Sequence, residues 1–134
     1  MSMNWINRIA IKSVEITDLD IHRFVELSGD NNPIHTDDAY SADSIFGRRI
    51  APGMMVASHI SAVIANELPG PGAIYLQQDL RFCSPVFIGD FVQVRVRVAD
   101  MPRLDRLLLE TDCLNQDGVL VISGKALVKI RPEG

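Results

Sequence analysis

Cysteine is scarce in this chain, with only Cys83 and Cys113 among 134 residues. Each stands alone in strand-like text with no second ligand at metal spacing. Neither a disulfide framework nor a zinc site is therefore expected, and both read as reduced thiols packed as small apolar groups. Runs of basic residues are absent too. With 13 Lys and Arg against 17 Asp and Glu, the net charge is −4, and no cluster exists to neutralise a phosphate backbone, so nucleic acid is not an expected partner. Long apolar runs are missing. The longest uncharged stretch, Ile50 to Asn66, contains Pro52, Ser58, His59 and Ser61 and falls short of the roughly 20 apolar residues of a membrane span. The first residues lack a basic segment followed by an apolar one, so no secretory signal is read. A cytoplasmic protein with no membrane partner is expected.

What is present suits one folded unit. Hydrophobic residues make up 47% and charged residues 22% of the chain, enough for a core in a single domain over residues 1–134. No repeat, low-complexity tract or linker interrupts it.

Ile9 to Ile16 is rich in β-branched residues and reads as a strand. Thr17 is placed to cap a helix, with Asp20 three residues later, apolar positions at Ile21, Phe24 and Val25, and Gly29 as the stop. The segment Gly29 to His35 is dense in turn formers, and Pro33 biases Asn32 toward extended backbone. Thr36, with Asp37 and Asp38, is expected to open a short helix ending near Asp43. From Gly53 to Leu68 the chain is apolar on nearly all sides, which predicts an enclosed helix with Pro52 as its first residue. The period then changes to two, at Ile74, Leu76, Leu80 and Phe82, and again at Val92, Val94, Val96 and Val98. Leu104 to Asn115 and Val119 to Arg131 complete a meander around an Asp117-Gly118 turn. The expected class is α+β, an antiparallel sheet of about five strands wrapped around one long helix. Such a sheet leaves an edge open, so pairing into a homodimer is expected.

Asp30 and His35 are the leading chemical candidates because they flank a turn. In a continuous helix, residues five apart point roughly 140° away from each other, so the two converge only if the backbone between them is irregular. A carboxyl and an imidazole brought together can hold a water and exchange protons near neutral pH. On spacing alone the alternative stands that Asp30 caps the turn and His35 is a satisfied loop residue.

The flanking text adds to this. Phe24 to His35 (FVELSGDNNPIH), with Ser41 after it, resembles the signature of the MaoC-like (R)-specific enoyl-CoA hydratases, or hydratase 2, whose fold is the hot dog. Ala51 to Ser58, Ser61, Leu68-Pro69-Gly70, Ile74-Tyr75-Leu76 and Phe82 to Asp90 are similar to later landmarks of that family. The resemblance implies reversible hydration of a trans-2-enoyl thioester to the (R)-3-hydroxyacyl thioester, carried on coenzyme A or acyl carrier protein. It implies no metal and no cofactor beyond the coenzyme A of the substrate. Asp30 and His35 would be the catalytic dyad: His35 as base on the water and Asp30 as proton donor to the α carbon, or the reverse. Ser61 and Asn32 would support them, Ser61 through a hydrogen bond to Asp30 or the water and Asn32 by shaping the loop. The Gly53 N–H, at the positive end of its helix, would receive the thioester oxygen.

One departure is visible, since many relatives carry a His where this chain has Pro52. For the coenzyme A phosphates, Arg48, Arg49, Arg103 and Lys125 are the nearest cations in sequence. Arg95 and Arg97 read as a solvated sheet face, His59 as structural and His22 as exposed. Two rival readings are a hot-dog thioester hydrolase, which would release free thiol without needing the dyad, and an acyl-CoA binding module without turnover.

Overall fold

The structure is a computed structural model, describing residues 4–131. Strand β1 (Ile9–Glu15) leads into helix α1 (Asp18–Ser28), where the Thr17 hydroxyl accepts a hydrogen bond from the Asp20 N–H at 3.1 Å. The expected stop is in place, as the Gly29 N–H donates to the Val25 carbonyl at 2.8 Å with φ +77°. Two one-turn helices follow, α2 (Pro33–Thr36) and α3 (Asp38–Ala42), before the long helix α4 (Gly53–Asn66). Strands β2 (Ile74–Phe82), β3 (Phe91–Arg103), β4 (Arg106–Leu114) and β5 (Leu120–Lys129) complete the chain. They form one antiparallel sheet in the order β1-β3-β4-β5-β2.

The alternation read from the sequence sets the inner face. Val92, Val94, Val96 and Val98 of β3 are fully buried, as are Leu107, Leu109 and Cys113 of β4. They meet Met55, Val56, Ile60, Val63 and Ile64 of α4 in one core. Burial pushes the Cys113 thiol up to about 12, which makes it an inert core group. The last hairpin turns through Asn115 to Gly118, where the Asn115 carboxamide oxygen accepts from the N–H groups of Asp117 and Val119.

Five expectations need correction. Cys83 is not packed in the core as Cys113 is: it is exposed just beyond the end of β2. The short helix does not open at Thr36: that residue closes α2, and α3 starts at Asp38 with the Asp37 carboxylate accepting from the Tyr40 N–H at 3.0 Å. Pro52 caps α4 rather than beginning it, and the helix ends at Asn66 instead of Leu68. The strand expected from Leu104 begins at Arg106, because Leu104 and Asp105 make the turn from β3. Finally, α4 is not enclosed within one chain. Met54 is 59% exposed, and Ser58 and Ser61 are exposed along the same helix face, because a single five-stranded sheet covers only part of a helix surface.

Candidate active site

The turn after α1 is built by a relay of short polar side chains, each accepting from the backbone two residues on. The Ser28 hydroxyl accepts from the Asp30 N–H at 3.1 Å, Asp30 Oδ1 from the Asn32 N–H at 3.4 Å, and Asn32 Oδ1 from the Ile34 N–H at 3.2 Å. Ser, Asp and Asn are the residues whose side chains make such local bonds in place of a helix ladder. The relay carries the chain out of α1 and into α2, so Asn32 acts as the cap of the turn that bears His35.

That turn is too short to satisfy its own carbonyls, and donors from elsewhere do so. The Pro33 carbonyl accepts from the Asp37 N–H at 2.9 Å and the Ser41 hydroxyl at 3.4 Å. The Ile34 carbonyl accepts from the Ile50 N–H at 3.2 Å and the same hydroxyl at 3.2 Å. Ser41 is fully buried beneath the turn. The His35 carbonyl accepts from Arg49 Nη1 at 3.3 Å.

His35 itself is buried, and its ring Nδ1 lies 2.8 Å from the Ile50 carbonyl oxygen. A carbonyl only accepts, so Nδ1 carries the hydrogen and Nε2 of the neutral ring keeps its lone pair. Asp30 and His35 line one cavity of about 480 Å³, together with Gly53, Met54, Phe82 and Ile122. Asp30 is exposed, and no hydrogen bond joins it to His35; what they share is the space between them. The wall is mostly apolar with a few polar groups converging on it, the usual make-up of a small-molecule site.

Gly53 is the first residue of α4, where backbone N–H groups and the helix dipole favour negative charge. A Cβ there would lie 2.6 Å from Phe82 Cε1, so a glycine is what lets that ring close over the helix start. Within one chain Ser61 is not brought to this cavity. It lies eight residues along α4, about 12 Å from Gly53, is exposed, and hydrogen-bonds to neither Asp30 nor His35.

The cations proposed for phosphates are differently placed. Arg49 is 13% exposed and its guanidinium is engaged by Asp18 at 2.8 Å and Asp38 at 2.9 Å. Burial works against its charge, yet the two carboxylates raise its pKa, while its hydrogen bond holds Asp18 below the usual carboxylate range. It is therefore not available to a ligand. Arg48 is exposed, with its guanidinium 3.7 Å from the centre of the Phe87 ring. Arg103 adjoins the β3–β4 turn and Lys125 lines a separate polar cleft on the sheet. His22 is exposed and pairs with Asp18 at 3.3 Å, and His59 is half-buried with its pKa lowered by that burial and by Lys12.

Sequence reasoning missed the contributions of Ser41, Arg49 and the Ile50 carbonyl. A signal existed for Arg49 in the pair of acids, Asp18 and Asp38, at two helix starts. None exists for a carbonyl, which every residue carries.

Residues 7–113 match the family described as MaoC like domain. The chain is 47% identical over 117 residues to the 3-hydroxybutyryl-CoA dehydratase of Methylorubrum extorquens, covering 87% of this chain and 74% of that one. It is 42% identical over 120 residues to the (R)-specific enoyl-CoA hydratase of Rhodospirillum rubrum, covering 89% and 83%. Among solved structures, the unliganded R-hydratase PhaJ1 of Pseudomonas aeruginosa superposes with a TM-score of 0.90 at 41% identity, covering 96% and 83%.

Proposed function

The chain belongs to the MaoC-like family, and on that premise we propose that it adds water reversibly to a trans-2-enoyl thioester, giving the (R)-3-hydroxyacyl thioester. The observation that carries the assignment to this site is the buried His35 ring, oriented by the Ile50 carbonyl, in the same cavity as Asp30.

In the forward direction, Nε2 takes a proton from a water held between His35 and Asp30. The water oxygen bonds to the β carbon, the C=C electron pair moves toward the thioester, and negative charge grows on the carbonyl oxygen. The Gly53 N–H, backed by the α4 dipole, is the donor for that oxygen. Collapse of the enolate takes a proton at the α carbon through Asp30, and the proton held on Nε2 passes on to Asp30, so the pair ends the cycle as it began. One proton leaves water and one reaches carbon, so the balance calls for neither an oxidant nor a reductant. The apolar wall of Met54, Phe82 and Ile122 receives the acyl chain, and coenzyme A is the carrier this reading favours, as it figures in the names of the two relatives given above, at 47% and 42% identity.

The assembly that suits this reading is a homodimer. The β2 edge is unpaired within one chain and exposes Ile74, Tyr75 and Leu76, and α4 exposes Met54. A second copy paired along β2 would cover them and complete the cavity wall near Met54 and Phe82.

The test is loss of enoyl-thioester absorbance with crotonyl-CoA, with free thiol followed in parallel, for wild type, Asp30→Asn and His35→Ala. Loss without thiol release, reduced at least about 1,000-fold in both variants, is the expected result. Thiol release would assign the chain to thioester hydrolysis instead, and full activity in either variant would remove the dyad.

A further inference from the structure

Arg49 occupies an unusual position for a cation beside an active site. Its guanidinium is mostly buried, and its three contacts lead to three different helices: Asp18 in the first turn of α1, the His35 carbonyl in α2, and Asp38 in the first turn of α3. Both acids are far more exposed than the arginine, at 48% and 89%. Ion pairs whose carboxylates stand in solvent are weak fasteners of a fold, so stability alone does not account for three contacts converging on one guanidinium. What it does is geometric. The next residue, Ile50, bonds α2 through its N–H and the His35 ring through its carbonyl. Residues 49 and 50 thus grip the same imidazole-bearing turn from the carbonyl side and the ring side.

We infer that Arg49 is a positioning residue for His35, fastening the α2 turn so that Nδ1 stays on the Ile50 carbonyl and Nε2 faces the cavity. The inference rests on the reading of His35 as the proton acceptor. Arg49 touches no substrate; it acts by holding the turn against α1 and α3. The planar fork of arginine reaches three oxygens at once, which a lysine ammonium on the same stem does not reproduce.

The experiment pairs crotonyl-CoA kinetics with the ring ¹⁵N spectrum of His35, assigned by its loss in His35→Ala. In wild type at pH 8, Nδ1 is expected to be pyrrole-like and Nε2 pyridine-like. Arg49→Gln is expected to lower kcat by about 10- to 100-fold, the scale of a misplacement near 1 Å, with KM changed less than about threefold. The two ring nitrogens should then move toward averaged values. Arg49→Lys should recover only part of kcat. If Arg49→Gln keeps kcat within about twofold, or loses it with the ring spectrum unchanged, the inference is overturned. Should that variant fail to fold, Asp18→Asn leaves the arginine in place and loosens its closer anchor. A fall in kcat with KM unchanged and the same ring averaging supports the inference, and an unchanged kcat overturns it. Full activity in His35→Ala would instead sink the functional reading, while the spectra would still decide whether Arg49 sets the ring.

Discussion

At the scale of single residues, the site depends on how closely atoms are allowed to approach. Gly53 has room for no side chain because the Phe82 ring lies where a Cβ would go, with Cε1 at 2.6 Å and Cδ1 at 2.7 Å. Phe82 is 52% exposed, so its ring can swing aside rather than unfold the helix. It would then swing within the cavity it lines. Gly53→Ala is accordingly expected to lower kcat/KM for crotonyl-CoA by about tenfold or more, equivalent to about 1.4 kcal/mol of transition-state stabilisation. The melting temperature should fall by less than about 4 °C, since alanine's better helix propensity offsets part of the clash. A large loss of stability with kcat/KM intact would show that the ring and the reaction are independent.

At the scale of elements, the hairpin between β4 and β5 offers a contrast, since its Gly118 does not line the cavity. Gly118 sits at φ +76°, a left-handed conformation that costs an L side chain about 1–2 kcal/mol. Gly118→Ala should lower unfolding free energy by about 1 kcal/mol, read from the urea midpoint, with kcat and KM at wild-type values. A loss of activity would mean that the hairpin communicates with the cavity. This turn was legible in the sequence because Asp-Gly between alternating apolar runs has a local cause. So were α1, with Thr17 and Gly29 at its ends, and the four valines of β3, whose period needs no tertiary information. Asp30 and His35 were legible as a pair for the same reason: the turn formers between them break the helix. The α2 turn was not, because its carbonyls are satisfied by Ser41, Arg49 and Ile50, up to 16 residues later in the chain. The strand order β1-β3-β4-β5-β2 was hidden for a related reason, as alternation reveals which face is buried but not which strand lies beside it.

For the whole molecule, the decisive feature is what one chain leaves uncovered. Met54 on the exposed face of α4 and Phe82 at the end of the edge strand β2 both line the cavity, so assembly and activity should be linked. Wild type is expected to sediment at twice the 14.8 kDa of one chain. Leu76→Lys, which places a charge on the edge strand, should shift the protein toward the monomer and lower activity in proportion. A fully active 14.8 kDa monomer would show that a single chain completes its own site. Among the described residues no helix is long and apolar enough to cross a membrane; Met55, Val56, Ile60, Val63 and Ile64 of α4 are buried in the core of their own chain.

The bond between His35 and Ile50 also bears on how the protein tolerates change. The acceptor that keeps the proton on Nδ1 belongs to the main chain, and every amino acid supplies the same oxygen. Drift at position 50 can exchange one side chain for another without erasing the acceptor, provided the bridge to Phe87 keeps the backbone on course. The reactive lone pair is therefore inherited through the route of the polypeptide rather than through the identity of a neighbour. Relatives that differ at position 50 can preserve the same tautomer while leaving no trace of it in their spelling.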